Sequence, residues 1–392
     1  MSKAYITPNI ISWARNRAHI SVEYLAKKLH VSSATIQEWE KGDCIPTLNQ
    51  AEKVANILHI PFGYLFLKTP PKEELPIPDL RIGYNGDIHM LSVDLIDVIN
   101  AVKRRQDAYK EIMLNEDIQP LSFIGSFINI EDPISIAKDM QKIMKIDRIF
   151  IKKLKSWSDY LNYLTNNAED AGILVFRNGT VNGNSTRILS TDEFRGFSLC
   201  DDIAPVLFIN ATDYKSSQIF TFAHELAHLW IGQSGISNIP PDELEFGIAN
   251  KKEELCDKIA VEFLVPAEEF LSEWRRSVKL EDEIQRLARL FRVSSFVILR
   301  RSFEYDLVSQ SEFYKMLEFL RYNINVFEHE KKPKAKGGNF YNTFRARNGK
   351  RFTNAIFEAL IDGSILYREA ASLLDVHVST LKKIAHRYAL VG

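Results

Sequence analysis

Cysteine is scarce in this chain, and the few that occur lie far apart. The 392 residues include only Cys44, Cys200 and Cys256, and no C-x-x-C pair is present. An odd number of widely spaced cysteines argues against a disulfide framework or a cysteine-built zinc finger, and indicates a reducing compartment. No apolar run approaches the roughly twenty residues needed to cross a bilayer, and residues 1–9 carry no hydrophobic signal. We therefore expect a cytoplasmic protein with no membrane partner.

Net charge is also nearly absent, at −1, but it is distributed unevenly. Residues 1–70 carry +3, from eight Lys or Arg against five Asp or Glu, and residues 331–392 carry +8, from twelve against four. The intervening part carries the remaining −12. The N-terminal part is thus no strongly basic clamp, and a single copy would bind DNA modestly. A hydrophobic content of 45% predicts a folded chain, and its length suggests two or three domains.

The most informative stretch is the motif H-E-x-x-H, which lies in an apolar run from Phe220 to Trp230. Positions i and i+4 of an α-helix share a face, so His224 and His228 can direct imidazole nitrogens at one metal ion. Glu225 is rotated about 100° from His224, which suits a general base that deprotonates a water at the ion. Buried histidines without a partner are costly. The pattern therefore predicts a metal-dependent hydrolase.

A second helical pattern, at residues 253–266, offers acids for the same ion. Its apolar face is formed by Leu255, Ile259, Phe263 and Leu264. Glu253 and Asp257 are four residues apart, so one carboxylate can complete a His/His/Glu zinc site while the other accepts the spare N–H of a ligating histidine. Glu254 remains an alternative third ligand. Otherwise Glu254 and Glu262 are expected on a solvated face.

These two segments resemble the ImmA/IrrE-type metallopeptidases, whose pattern is F-T-x-A-H-E-x-x-H followed by E-x-x-A-D/N-x-F-A-x-x-L-L-M-P. Residues 220–228 and 253–266 match that pattern, and the departures from it remove no chemical group. The resemblance implies Zn²⁺ as the cofactor, with Mn²⁺ as the alternative metal. It assigns roles to four side chains: metal binding to His224, His228 and Glu253, and catalysis to Glu225.

Residues 25–42 predict a helix, a tight turn and a second helix, which together form a helix-turn-helix. The second helix is capped by Ser32 or Ser33 and ends at Gly42. Polar side chains on its outward face are placed to reach base edges in the major groove. These predicted DNA contacts are Ser32, Ser33, Thr35, Gln37, Glu38 and Lys41.

The same segment contains L-A-x-x-L and W-E-x-G elements, and it resembles the XRE-type repressor DNA-binding domain. That resemblance implies a five-helix domain and DNA as a partner. A homodimer would present two such helices to paired half-sites. A helical module that makes only protein contacts is the alternative.

The basic C-terminal block opens with a linker rich in Lys, Pro and Gly at residues 331–338. Residues 367–383 then repeat the N-terminal order of amphipathic helix, short turn and helix, here with a basic second helix. This pattern predicts a second helix-turn-helix, and packing of the hairpin on its own protein is the alternative. The predicted nucleic-acid contacts are Ser379, Thr380, Lys382 and Lys383.

We predict an α+β, mostly helical chain in which buried strands at 172–176, 196–200 and 204–210 form a small sheet. An edge strand beside the metal would bind an extended peptide. The predicted segments are an XRE-type domain (1–70), a proline-rich connector and helical spacer (71–160), a zincin-like metallopeptidase domain (161–305), a helix and basic linker (306–338) and a C-terminal helix-turn-helix-like module (339–392).

The family resemblance implies a DNA-binding zinc metalloendopeptidase that cleaves a partner repressor to control transcription in a stress response, a mobile element or phage defence. The alternative is a transcriptional regulator whose zinc is structural or sensory. A protein ligand in the fourth coordination position would favour that alternative, since catalytic zinc keeps the position for water.

Tyr214 and Arg187 are the oxyanion-stabilising candidates by proximity in sequence. The acidic centre and basic ends predict activity that responds to salt and DNA.

Overall fold

The structure is a computed structural model that describes residues 2–71, 91–116, 118–237, 251–330 and 340–389. Most of the proline-rich connector and the whole predicted basic linker lie outside the described residues. The chain divides into two compact units. The first contains the described residues up to 71 together with 91–100, and the second contains the described residues from 101 onwards.

The first unit contains the helix-turn-helix. Its described N-terminal elements are α1 (Pro8–Arg17), α2 (Val22–Leu29), α3 (Ser33–Lys41), α4 (Leu48–Ile57) and the 3₁₀ helix η1 (Phe62–Phe66). Ser32 is the N-cap of α3, because its Oγ accepts the backbone N–H of Thr35 at 3.1 Å. Gly42 ends α3 in the left-handed region, with φ of +84°. The predicted five-element domain is present, with a 3₁₀ helix as its fifth element.

Helix α5 (Val93–Asn115) begins in the first unit and ends in the second. The helices that follow are α6 (Pro133–Ile143), α7 (Arg148–Lys153), α8 (Trp157–Asp170), α9 (Lys215–Trp230), α10 (Lys251–Leu264), α11 (Ala267–Glu273), α12 (Leu280–Phe291), α13 (Ser295–Glu304), α14 (Gln310–Glu330), α15 (Phe340–Asn348), α16 (Lys350–Ile361), α17 (Tyr367–Leu373) and α18 (Val378–Ala389). In the part of the chain that the structure describes, no helix is long and apolar enough to cross a membrane.

The second unit contains a four-stranded mixed sheet and a separate hairpin. The strands are β1 (Leu174–Asn178), β2 (Thr180–Val181), β3 (Asn184–Ile188), β4 (Gly196–Leu199), β5 (Val206–Asn210) and β6 (Gly235–Ser237). The sheet has the order β1-β5-β4-β6, with β1 parallel to β5 and the other pairs antiparallel, while β2 and β3 form the hairpin. The α+β, mostly helical prediction is confirmed. Strands β2, β3 and β6 were not predicted.

Helix α9 lies inside the core of the second unit. Every residue from Ser217 to Trp230 is buried. Its C-terminal carbonyl groups are satisfied by the loop before α6, where the backbone N–H of Gly125 donates to Leu229 O at 2.9 Å and that of Phe127 to Trp230 O at 3.0 Å. Helix α9 is therefore surrounded by the core and anchored at its C-terminal end.

Helices α15 to α18 pack on the same unit as the sheet. Glu169 at the end of α8 accepts the backbone N–H of Arg351 at 3.0 Å, and Arg351 Nε donates to Tyr109 Oη at 2.7 Å. Gly349, with φ of +69°, lies against β1, where a Cβ would come within 2.8 Å of Val175 O. A larger residue would not fit there. The C-terminal helices therefore pack on α8 and β1 of the same unit. This packing leaves the predicted nucleic-acid contact of the second helix-turn-helix untested.

Two arginines hold the turn between α17 and α18. Arg105 of α5 is buried and donates Nε to Leu373 O at 2.9 Å, and burial lowers its pKa to about 10. Arg347 of α15 donates Nη2 to Asp375 O at 2.9 Å. The first bond satisfies a carbonyl group that the end of α17 leaves open, and the second satisfies a carbonyl group of the turn itself. The helix pair is thus fixed on the unit in one orientation.

Candidate metal centre

The central cluster joins the middle of α9 to the first turn of α10. His224 and His228 direct their Nε2 atoms toward each other at 3.1 Å. Glu253 reaches both, with Oε2 3.2 Å from His224 Nε2 and Oε1 3.3 Å from His228 Nε2. The three side chains are buried, and their ligand atoms lie within 4.8 Å of one another. Two neighbouring helices thus bring three predicted ligands to one point.

Asp257 lies one turn after Glu253 and contacts the far side of the first histidine. Its Oδ1 is 2.9 Å from His224 Nδ1, and its Oδ2 is 4.0 Å from Arg300 Nη1. A carboxylate that accepts the Nδ1–H of a histidine selects the tautomer whose Nε2 carries the lone pair. With that tautomer, His224 presents a lone pair to the cluster.

Glu225 lies beside the cluster, against β4. Its carboxylate is fully buried, and neither oxygen has a hydrogen-bond partner among the described residues. Strand β4 approaches α9 closely because residue 196 is glycine: a Cβ there would lie 2.6 Å from Thr221 Cγ2 and 3.1 Å from Glu225 Cγ. A small cleft reaches the carboxylate. It is lined by Arg195, Phe220, Thr221, His224, Glu225 and Ser237.

The electrostatics of the cluster favour positive charge at its centre. Burial disfavours protonation of His224, but the hydrogen bonds and charges of Asp257 and Glu253 outweigh it and raise the pKa well above its usual value. For Glu253, burial alone would raise the pKa, but the contacts with the two histidines outweigh it and hold the pKa below its usual range. Burial raises the pKa of Glu225 above its usual value, which brings it closer to that of an effective proton acceptor at neutral pH.

The donor set of the cluster fits a divalent cation. Once His224 gives its Nδ1–H to Asp257, its Nε2 lone pair faces a second imidazole nitrogen and a carboxylate. Glu253 Oε1 lies 3.3 Å from His228 Nε2 without hydrogen-bond geometry, and His228 Nδ1 has no hydrogen-bond partner among the described residues. Buried polar atoms left in this state are costly. Two imidazoles and one glutamate are the set that zinc uses in hydrolytic sites.

Two neighbouring acids on α10 lie outside the cluster. Glu254 forms an ion pair with Lys258 at 2.7 Å, and its side chain is 34% exposed. The alternative third ligand therefore lies away from the histidines. The expectation of a solvated face was wrong for Glu262, which is buried and ion-paired with Arg301 of α13. The opposite charge of Arg301 allows this glutamate to be buried.

Arg195 lines the cleft, although no sequence motif marks it. It precedes β4, and its backbone N–H donates to Ser237 O of β6 at 3.1 Å. Its Nη1 donates to Asp213 Oδ2 at 2.5 Å. Tyr214 and Arg187, which sequence proximity suggested, are not among the described residues that line the cleft. The only available signal was adjacency to a predicted strand, which is too general to identify a site residue.

The polar residues of α3 lie on the outside of the first unit. Helix α3 contributes Ile36 and Trp39 to the core of this unit, and both are buried. The hydroxyl groups of Ser32 and Thr35 lie 2.8 Å apart, so they are partly engaged with each other at the start of the helix. The predicted DNA contacts therefore divide into two groups: Ser32, Gln37, Glu38 and Lys41 are exposed, whereas Ser33 and Thr35 are half-buried.

Helix α18 has one exposed polar face. Leu381 and Ile384 are buried against the C-terminal helices. On the other face Ser379, Lys382 and Lys383 are exposed, and Thr380 is half-buried. The spacing i, i+3 and i+4 places the three exposed residues in one continuous stripe.

A helix carrying two histidines, a second helix carrying a glutamate and an adjoining small sheet define a zincin-like domain. Residues 168–303 match the family of the IrrE N-terminal-like domain, Peptidase_M78. Residues 11–65 match the helix-turn-helix family HTH_3, and residues 348–387 match a domain of unknown function, DUF8813. The chain therefore combines an ImmA/IrrE-like peptidase-family domain with an N-terminal XRE-type helix-turn-helix domain. Searches of the curated proteins and of the solved structures gave no match.

Proposed function

We propose that this chain is a DNA-binding zinc metalloendopeptidase that cleaves a partner repressor and so controls transcription. The observation that carries the proposal is the convergence of His224, His228 and Glu253 next to a buried glutamate with no hydrogen-bond partner among the described residues. The matches of residues 168–303 and 11–65 support the peptidase and DNA-binding parts. A stress response, a mobile element or phage defence is the biological setting that this combination suggests.

In the proposed centre, His224, His228 and Glu253 hold the zinc ion, and Asp257 orients the first histidine. Zinc bound there supplies Lewis-acid chemistry, which polarises the scissile carbonyl and makes a nearby water more acidic. Mn²⁺ is the alternative metal for the same ligands. Burial of all three ligands excludes bulk water, which strengthens every electrostatic interaction within the site.

Glu225 is the proposed general base. Its carboxylate accepts the proton of the attacking water and then donates that proton to the leaving nitrogen. Both steps need a carboxyl group whose pKa is close to neutrality, and burial raises the pKa of Glu225 toward it. The absence of a hydrogen-bond partner among the described residues is consistent with a group that exchanges protons with water and substrate.

The proposed DNA contacts lie on α3. Gln37 and Glu38 are exposed and are the proposed contacts to base edges. Ser32, Ser33 and Thr35 at the start of the helix and Lys41 at its end are the proposed contacts to phosphates. The modest charge of this part of the chain favours a homodimer that binds paired half-sites.

The exposed stripe of α18 supports a second nucleic-acid contact. Ser379, Thr380, Lys382 and Lys383 belong to the basic C-terminal block, whose net charge is +8. Lysine side chains attract phosphate without reading sequence. This contact would add affinity and salt dependence to binding by the N-terminal helix-turn-helix.

The alternative function is a transcriptional regulator with a structural or sensory zinc. Structural zinc sites usually have four protein ligands, whereas catalytic sites have three and keep one position open. The group of side chains that can hold a metal contains three members among the described residues. This number supports catalysis over a structural role.

Glu225→Gln tests the proposal directly. The amide preserves the shape of the side chain but cannot accept a proton, so the variant should keep zinc and lose roughly 10²- to 10⁴-fold in cleavage rate. The zinc-loaded variant should therefore retain an uncleaved substrate in a pull-down, with the captured protein identified by mass spectrometry.

The captured protein must then be cleaved by the wild-type chain in the presence of zinc. Capture alone would not support the proposal, because a binding partner need not be a substrate. Normal cleavage by Glu225→Gln would remove the general-base assignment, and a captured protein that stays intact with the zinc-loaded wild type would favour the regulator.

A further inference from the structure

The cleft beside the metal cluster needs a donor for the scissile carbonyl oxygen. Of its lining residues, Glu225 is an acceptor, and His224 already directs Nδ1 to Asp257. Thr221 and Ser237 carry hydroxyl groups, whose hydrogens rotate, so these donors are less preorganised than an N–H. Phe220 offers no polar atom. Negative charge that develops on the carbonyl oxygen during attack is stabilised most by a preorganised N–H donor that does not have to reorient.

Arg195 is such a preorganised donor. Its backbone is fixed on both sides, since its N–H donates to Ser237 O at 3.1 Å and its carbonyl oxygen accepts the N–H of Asn210 at 2.8 Å. Its side chain is fixed by Asp213, whose Oδ2 accepts Nη1 and whose Oδ1 accepts the N–H of Tyr214. The arginine is therefore held by its backbone just before β4 and by its guanidinium at Asp213, which lies just before α9.

One donor of this guanidinium is still available. Arg195 Nε is buried and has no hydrogen-bond partner among the described residues, and the side chain as a whole is 16% exposed. A buried N–H without an acceptor costs free energy that a bound carbonyl oxygen would recover. Asp213 offsets the positive charge, so the pair suits a neutral acceptor that gains charge during the reaction better than a pre-existing anion.

We propose that Arg195, anchored by Asp213, donates a hydrogen bond to the scissile carbonyl oxygen and stabilises the negative charge that forms on it. This inference rests on the proposed peptidase function and deepens it. It assigns the oxyanion-stabilising role to a residue before β4, in place of Tyr214 or Arg187.

The test uses the zinc-loaded full chain and its Arg195→Ala and Arg195→Lys variants. Zinc content is measured first and should be unchanged, because Arg195 is not in the ligand set. Acetohydroxamate, a small chelator with a carbonyl oxygen, is then titrated by calorimetry. Loss of a charged hydrogen bond should weaken its binding about 10- to 100-fold in Arg195→Ala, with partial recovery in Arg195→Lys. Arg187→Ala, the same change at the hairpin, should bind like the wild type.

A second readout separates binding from catalysis. On a substrate captured by Glu225→Gln, Arg195→Ala should lower kcat by about 10²- to 10³-fold and leave KM nearly unchanged. Unchanged acetohydroxamate affinity in Arg195→Ala, or an effect on KM alone, would overturn the role of Arg195 while the peptidase proposal stands. If the wild-type chain binds no zinc, the peptidase proposal itself fails, and this inference fails with it.

Discussion

Helices α9 and α3 each carry a set of polar side chains that the sequence predicts to be functional, but the surroundings of the two sets differ. On α9, His224, Glu225 and His228 are at most 3% exposed. On α3, Gln37 and Lys41 are exposed. Burying a polar group without a partner costs several times more than leaving it in water, so a buried set persists only if something binds it. Because the side chains on α9 are buried, they can be identified as a site and substitutions there should have large effects. Because the side chains on α3 are exposed, substitutions there should have small effects.

The largest effect is expected from His224→Ala. The variant removes a ligand and leaves Asp257 buried without its imidazole partner, so zinc binding should fall from one ion per chain to nearly none, and cleavage should disappear with it. Metal analysis of the purified protein measures the loss. The matched control is His377→Ala, which changes an exposed histidine. Full zinc content in His224→Ala would show that this buried histidine is not a ligand. The contrast between the buried side chains of α9 and the exposed ones of α3 would then have no basis.

A smaller effect is expected from Asp257→Asn. The amide still fills the space but no longer holds the His224 tautomer by charge, so zinc affinity should fall about 10- to 100-fold. Competition with a chromophoric chelator gives the affinity. Glu262→Gln, at a buried acid of α10 outside the cluster, tests whether any buried carboxylate has this effect. The partner of Glu262 is Arg301, so zinc affinity should stay the same. Equal losses in both variants would point to a general effect on folding.

The smallest effects are expected on α3. Gln37→Ala should cost about 1–3 kcal/mol of binding to the cognate DNA site if it contacts a base, and Lys41→Ala should weaken binding to all sequences and reduce the salt slope by about one. Fluorescence anisotropy across a salt series measures both. Lys53→Ala, an exposed lysine on α4, is the control. Identical salt slopes for Lys41→Ala and Lys53→Ala would remove α3 from the DNA contact.

The buried site was largely predictable because its pattern is local. The i, i+4 spacing of the histidines and the acids of the second helix follow from helix geometry alone, and the structure brings those side chains together. The family resemblance favoured Glu253 over Glu254 as the third ligand, but helix spacing alone could not decide between these two adjacent acids. The choice depends on how α10 rotates against α9, and that rotation is set by packing across many residues.

The contacts that join distant segments could not be predicted. The backbone of Arg195 is held beside the cleft by hydrogen bonds to Asn210 of β5 and to Ser237 of β6. Strand β6 has three residues and is too short to give a periodic signal. Glu262 was expected on a solvated face, since its partner Arg301 lies on another helix. The DNA contacts and segment boundaries stay predictions, because exposed polar residues fit many surfaces equally well.

The central claim is that Glu253 completes a zinc site with the two histidines, and one pair of variants tests it most directly. Glu253→Gln and Glu254→Gln change adjacent glutamates on one helix, but only Glu253 reaches both imidazoles, whereas Glu254 pairs with Lys258. Zinc content per chain should drop sharply in Glu253→Gln and stay near one in Glu254→Gln. Equal zinc content in the two variants, or loss only in Glu254→Gln, would contradict the account.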